Sequence, residues 1–172
     1  GPDRARAARR RAAALCAEAA DARRRSDEVA NRLVDTLLLA PADALGVRRA
    51  GFSLRAGRLR PTIRLVREVL RCWLEAAGVA ADVVSEVVLA CSEACANAVE
   101  HPTDPARRAF EVEARRQGAR IELLVQDFGR WDEAQRVTTR GRGLALMRSL
   151  MDSVEIGQTR TGTQVAMRRT LA

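Results

Sequence analysis

The chain has 172 residues, is 47% hydrophobic and 30% charged, and carries a formal charge of +8, which suits one soluble globular domain with its own core plus an extension. No apolar run approaches the roughly 18–20 residues that span a bilayer, and no signal peptide is visible, so a cytoplasmic protein without a membrane partner is expected. All 30 basic residues are Arg, with no Lys anywhere, so a P-loop and a eukaryotic-type protein kinase, both of which need a Lys on the phosphates, are excluded.

Gly1-Pro2 looks like a cloning scar. Residues 4–39 then read as one long helix, rich in Ala and Arg and without an internal Gly or Pro; Pro41 ends it. Residues 1–25 hold eight Arg against three acids. With aromatics at 3% and no reader motif, this is a solvated arginine-rich helix, and direct nucleic-acid binding is not expected. Leu15, Ala19, Ala22, Val29, Leu33, Thr36 and Leu37 recur at helical spacing. That stripe needs a partner, either a second copy in a coiled-coil homodimer or the domain itself if the helix folds back. Pro41 to Ala50 forms a linker, which sets the boundary between a helical segment, 1–47, and a domain, 48–172.

Phe52 and Leu54 alternate as a short strand. Pro61 opens a helix with Ile63, Val66, Leu70, Trp73 and Leu74 on one face, closed by Gly78. A second helix covers about 81–100, burying Val84, Val87, Val88, Cys91, Cys95 and Val99, and His101-Pro102 stops it. Two strands follow, with Phe110, Val112 and Ala114, then Ile121, Leu123 and Val125, facing inward across a turn at Gln117-Gly118. After a polar loop, 128–140, comes a helix over 143–151 and two last strands, one with Val154 and Ile156, the other with Thr163, Val165 and Met167. The order β-α-α-β-β-loop-α-β-β implies an α/β two-layer sandwich: helices on one face of a mostly antiparallel, mixed sheet, preceded by the long helix. The four cysteines, at 16, 72, 91 and 95, include no C-x-x-C pair and read as free, buried thiols in a reducing compartment rather than a zinc site.

The chemistry lies in an ordered set of short motifs. Residues four apart stack on one face of a helix, so Glu93 and Asn97 place a carboxylate above an amide carbonyl, a pair able to hold Mg²⁺ and polarise a hydroxyl. Asp127, at a strand end before Phe128-Gly129, can read an adenine edge. Gly141-Arg142-Gly143 opens a helix whose backbone N–H groups can cradle phosphates.

This set resembles the GHKL (Bergerat-fold) ATPases, and within them the anti-sigma-factor serine kinases of the RsbW type. The matching stretches are 88–101 around Glu93 and Asn97, Asp127-Phe128-Gly129-Arg130-Trp131, Arg140-Gly141-Arg142-Gly143-Leu144-Ala145-Leu146-Met147, and Gly162-Thr163. The resemblance covers about Gly51 to Leu171. It implies ATP and Mg²⁺ as cofactors, with Asn97 on the metal and Glu93 as general base toward a serine hydroxyl. It implies that Asp127, supported by Thr163, binds the adenine amino group and that Gly129 admits the base. Gly141, Gly143 and the helix-opening Leu144 would form the phosphate lid, and Arg140 or Arg142 the phosphate cation. The implied partners are a sigma factor and a STAS-domain antagonist that is phosphorylated. A nucleotide-holding anti-sigma or scaffold module without phosphotransfer is the alternative.

Trp131 departs from the family pattern, standing where many members carry a third glycine. Similar Gly-Arg-Trp stretches occur in actinobacterial kinase domains joined to PP2C-type phosphatases. Asp27 to Pro41 also resembles the helix leading into such phosphatases. Residues 1–47 contain no His, so they offer no phospho-acceptor of the histidine-kinase kind. The single histidine, His101, is expected to be structural.

Overall fold

A 37-residue helix, α1 (Pro2–Leu38), leads the chain. The computed structural model describes residues 2–40, 47–100, 109–128, 141–159 and 162–171. After α1 come β1 (Gly51–Gly57), α2 (Arg60–Ala76), α3 (Ala81–Glu100), β2 (Ala109–Gln117) and β3 (Arg120–Asp127). They are followed by α4 (Gly141–Leu150), β4 (Ser153–Thr159) and β5 (Gly162–Thr170). Element for element, this is the expected order.

The strands pair in the order β1-β2-β3-β5-β4. Every neighbouring pair is antiparallel, so among the described strands the sheet is not mixed. Counting reversals explains this. Two antiparallel helices between β1 and β2 return the chain to the end where it left the sheet, so β2 must run back along β1. The helix and edge strand between β3 and β5 do the same. Chain direction also places the C-terminal ends of β1, α3 and β3 with the starts of α2, α4 and β5, all at one end of the sheet. An ion pair between Arg60, at the start of α2, and Glu100, at the end of α3, closes at 3.0 Å.

Strand alternation gives the sheet one apolar face. Phe110, Val112, Ala114, Ile121, Leu123, Val125, Val165 and Met167 are buried under α2 and α3. The other face is polar, with Arg168 between Glu155 at 2.9 Å and Glu122 at 3.8 Å, and Gln164 donating to Gln126 at 2.9 Å. Leu70 and Leu74 of α2 are fully buried, each contributing about 1.5–3 kcal/mol relative to exposure. Phe110→Ala, a fully buried ring at the Asp127 end of the sheet, costs about 3–5 kcal/mol.

The long helix is divided in its packing. Ala30 and Val34 are buried, Leu37 and Leu38 pack on the same core, and Asp35 accepts from Arg64 of α2 at 2.8 Å. The last third of α1 is therefore folded back on the domain, through Leu37 of the expected apolar stripe and through Ala30, Val34 and Leu38 beside it. Residues 10–26, by contrast, are exposed on all sides. Below α1, the indole N–H of Trp73 donates to the Arg48 carbonyl at 3.0 Å. Its ring meets Phe52 edge-on at 5.9 Å.

Candidate nucleotide site

Glu93 and Asn97 project from the second half of α3. The helix is anchored by Ala90, Cys91, Ala94, Cys95 and Ala98, all buried. Small residues on that face bring α3 close to the sheet, and the remaining face carries the polar pair. Cys91 and Cys95 are free thiols within the core, whereas Cys16 and Cys72, also expected to be buried, are exposed because they lie on outward faces of α1 and α2. A hydrogen bond with Cys91, and then burial, push the Cys95 thiol well above its ordinary range, so it stays protonated and inert.

The N-terminal turn of α4 lies against that polar pair. A Cβ on Gly143 would stand 3.0 Å from Glu93 Oε2 and 3.9 Å from Asn97 Nδ2. Glycine here lets the helix backbone approach both side chains, and it puts the positive end of the α4 dipole beside them. Glu93 is half-buried and Asn97 exposed. Gly141 is the first residue of α4, Arg142 is exposed, and Leu144 is half-buried against the core.

Asp127 ends β3, and the antiparallel pairing brings the start of β5 beside it. The Thr163 backbone N–H donates to Asp127 Oδ1 at 3.1 Å. Gly162 makes this crossing possible. Its φ is +151°, and a Cβ there would fall 1.8 Å from the Asp127 carbonyl oxygen, inside any allowed contact. Thr163 is buried, and its hydroxyl has no hydrogen-bond partner among the described residues. A buried hydroxyl left unpaired costs about 1–3 kcal/mol. Phe128, the next residue, lies under the Arg55 guanidinium at 4.9 Å, a cation–π contact from edge strand β1 to the end of β3.

Glu93, Asn97 and Gly143 thus meet directly, as do Asp127, Gly162 and Thr163, and both groups lie at the same end of the sheet. Gly129, Arg140, Trp131 and His101 lie outside the described residues. Sequence reasoning did not assign Gly162 to the site, although its place before Thr163 was the available signal; Arg55 carried no motif. Among the described residues no three His, Cys, Asp or Glu side chains come together, and no helix is long and apolar enough to cross a membrane.

Residues 57–169 match the family described as histidine kinase-like ATPase domain. Among solved structures, the chain is similar to the RsbU and RsbW domains of Rv1364c from Mycobacterium tuberculosis, with 26% identity and a TM-score of 0.60. That match covers 70% of this chain and 32% of the other, so the chain spans about a third of that protein's length in the structure. With the five-stranded antiparallel sheet, the helices on one face and a family match over most of its length, the chain belongs to the histidine kinase-like (GHKL) ATPases and has the RsbW-type fold.

Proposed function

We propose that this domain binds ATP with Mg²⁺ and phosphorylates a serine on a small STAS-domain antagonist, and that when not so engaged it holds a sigma factor. The observation that carries the reading is the approach of α4 to α3: a glycine backbone against a carboxylate and an amide one turn apart, at the end of the sheet that also holds Asp127 and Thr163.

The residues fit an adenine nucleotide. The orphaned Thr163 hydroxyl beside Asp127 suits a purine edge carrying both a donor and acceptors. The space a Cβ would take at Gly143, beside a helix N-terminus, suits phosphate oxygens. Bound ATP would supply the phosphoryl group. Asp127, oriented by the Thr163 N–H, would accept from the adenine amino group. Asn97 would hold the magnesium ion through its side-chain oxygen, with the remaining positions left to phosphate and water. Glu93, half-buried and without a hydrogen bond or ion pair among the described residues, would take the proton of the attacking serine hydroxyl. Arg142, and Arg140 before it, would meet phosphate charge in a chain without Lys.

Similarity to a protein carrying an RsbW domain supports a serine kinase that regulates sigma factors. Incubation with radiolabelled ATP and STAS proteins encoded in the same genome tests it. Label on one serine of a single STAS protein is expected, with loss of sigma-factor retention by that protein's unphosphorylated form. Nucleotide binding with no transfer to any of them would replace the kinase reading with a nucleotide-holding anti-sigma module.

A further inference from the structure

The C-terminal half of α2, away from the candidate nucleotide residues, borders an open cavity of about 320 Å³. Leu38 and Ala40 at the end of α1 form one wall, and Val47, Arg48 and Arg49 form another. The floor is a stripe of α2 on which Val69, Trp73 and Ala76 follow one another at steps of four and three. The space exists because that stripe turns small. Cys72, Ala76 and Ala77 stand where larger side chains would close the gap between the two helices beside the buried Trp73 ring. Leu38 and Val47 are only partly buried against the core, so apolar surface faces the cavity from α1, from α2 and from the residues before β1.

We infer that this cavity binds a medium-chain alkyl carboxylate, with the chain among the apolar walls and the carboxylate at Arg48 and Arg49. Size and charge select the occupant. Small-molecule sites are mostly apolar concavities of about 300–1,000 Å³ with a few polar groups that fix orientation, and this one, at the small end of that range, suits a chain of about eight carbons. Both arginines are exposed at its rim, and neither guanidinium has a hydrogen bond or ion pair among the described residues. Their backbone is held in place. The Arg48 carbonyl accepts from the Trp73 indole at 3.0 Å, and Arg48 exchanges backbone hydrogen bonds with Gly51 at 2.9 and 3.0 Å, so the two cations start from a fixed anchor. Glu68, the acid in the lining, has Arg71 at 4.0 Å on its own helix. A cation would therefore sit against two unpaired arginines, and a neutral hydrocarbon would leave both unused. Because α1 supplies one wall, the bound anion touches α1 and α2 together and stabilises the docked helix. This inference does not depend on the nucleotide reading, whose residues lie toward the other end of α2.

Octanoate titrated into the full chain tests the site, with butanoate and octanol as comparison probes. Octanoate is expected to bind by calorimetry and to raise the melting temperature. In a Cys16→Ser protein Cys72 is the one exposed thiol, and octanoate should slow its labelling about fivefold or more at saturation. Butanoate, shorter by four methylenes, should bind about a hundredfold more weakly, and octanol, with no anion for the arginines, about tenfold more weakly. Arg48→Gln/Arg49→Gln should still bind octanol but lose the preference for octanoate. Ala76→Phe, at an exposed position, should fill the cavity and abolish octanoate binding without lowering the melting temperature. Failure of octanoate to protect Cys72 overturns the inference without recourse to a cavity variant. Equal binding of octanoate and octanol by the wild type would replace the carboxylate with an uncharged apolar occupant. Octanoate binding unchanged in Ala76→Phe would move the site elsewhere.

Discussion

The two ends of the candidate nucleotide site are built differently. At the β3–β5 end, Asp127 is held by a backbone N–H from a strand that crosses it so closely that only glycine fits at position 162. At the α3–α4 end, Glu93 and Asn97 face a helix N-terminus across a gap set by Gly143, with no hydrogen bond or ion pair to fix either side chain among the described residues. One end is preorganised by the sheet and the other is left to be organised by what binds. Recognition at a fixed end loses little entropy on binding, whereas groups proposed to act on a proton and a metal must adjust as charge moves.

Mutations at the two ends should therefore separate affinity from rate. The largest effect is expected for Glu93→Ala, which should lower phosphotransfer by about 10²–10⁴-fold while nucleotide affinity, measured by calorimetry, stays near wild type. Transfer at the wild-type rate would take Glu93 out of the chemistry. Asp127→Asn acts at the other end. The asparagine keeps an Oδ1 for the Thr163 N–H, so the fold should hold. Losing a charge-assisted bond costs about 1.5–3 kcal/mol, or roughly ten- to a hundredfold in nucleotide affinity. Equal affinity in both proteins would break the assignment.

Thr163→Val sharpens the comparison because it should move stability and affinity in opposite directions. Removing a buried hydroxyl that lacks a partner should raise the unliganded protein's stability by about 1 kcal/mol and weaken nucleotide binding up to about tenfold. Denaturant melts with and without nucleotide read both. A loss of stability without nucleotide would mean the hydroxyl has a partner in the free protein. Gly143→Ala should be milder, since the atom its Cβ meets is the end of a flexible glutamate. A several-fold fall in transfer rate is expected, with affinity barely changed.

Asp152 provides a control away from both ends. Hydrogen bonds from Thr170, assisted by Arg169, hold its carboxyl below the usual range. A depressed native pKa adds stability above the unfolded value of about 3.9 and loses it as pH falls through the native one. Asp152→Asn should therefore lower stability slightly at neutral pH, with the difference fading in acid. The group is mostly exposed, so the effect stays small, and nucleotide affinity should be unchanged at either pH.

The parts of the candidate site legible in the sequence were those written in local spacing. Glu93 and Asn97 follow from helix period, Asp127 and Thr163 from strand ends, and Gly143 from a helix start. Gly162 was harder to read because its necessity comes from a strand distant in sequence, whose carbonyl occupies the place of its missing Cβ. In the fold, reversal counting makes every pair antiparallel, while a pattern of strands and helices alone leaves a parallel neighbour possible. For α1 the periodicity carried two overlapping stripes. Ala30 and Val34 anchor the helix, yet an alanine and a single valine stand out less in a sequence than Leu15, Val29 and Leu33, which remain outside. Periodicity reports that a face is apolar without saying which apolar face finds the core.

The seating of Trp73 gives the molecule an optical handle. The sequence has two tryptophans and no tyrosine. In a Trp131→Phe protein, Trp73 would be the only strong emitter. Its indole is buried against Phe52 and bonded to the Arg48 carbonyl, where β1, α2 and the residues after the long helix converge. Its emission should be blue-shifted while that junction holds and move to the red when the helix lets go. A steady-state spectrum could then follow the docking of α1 without any attached label.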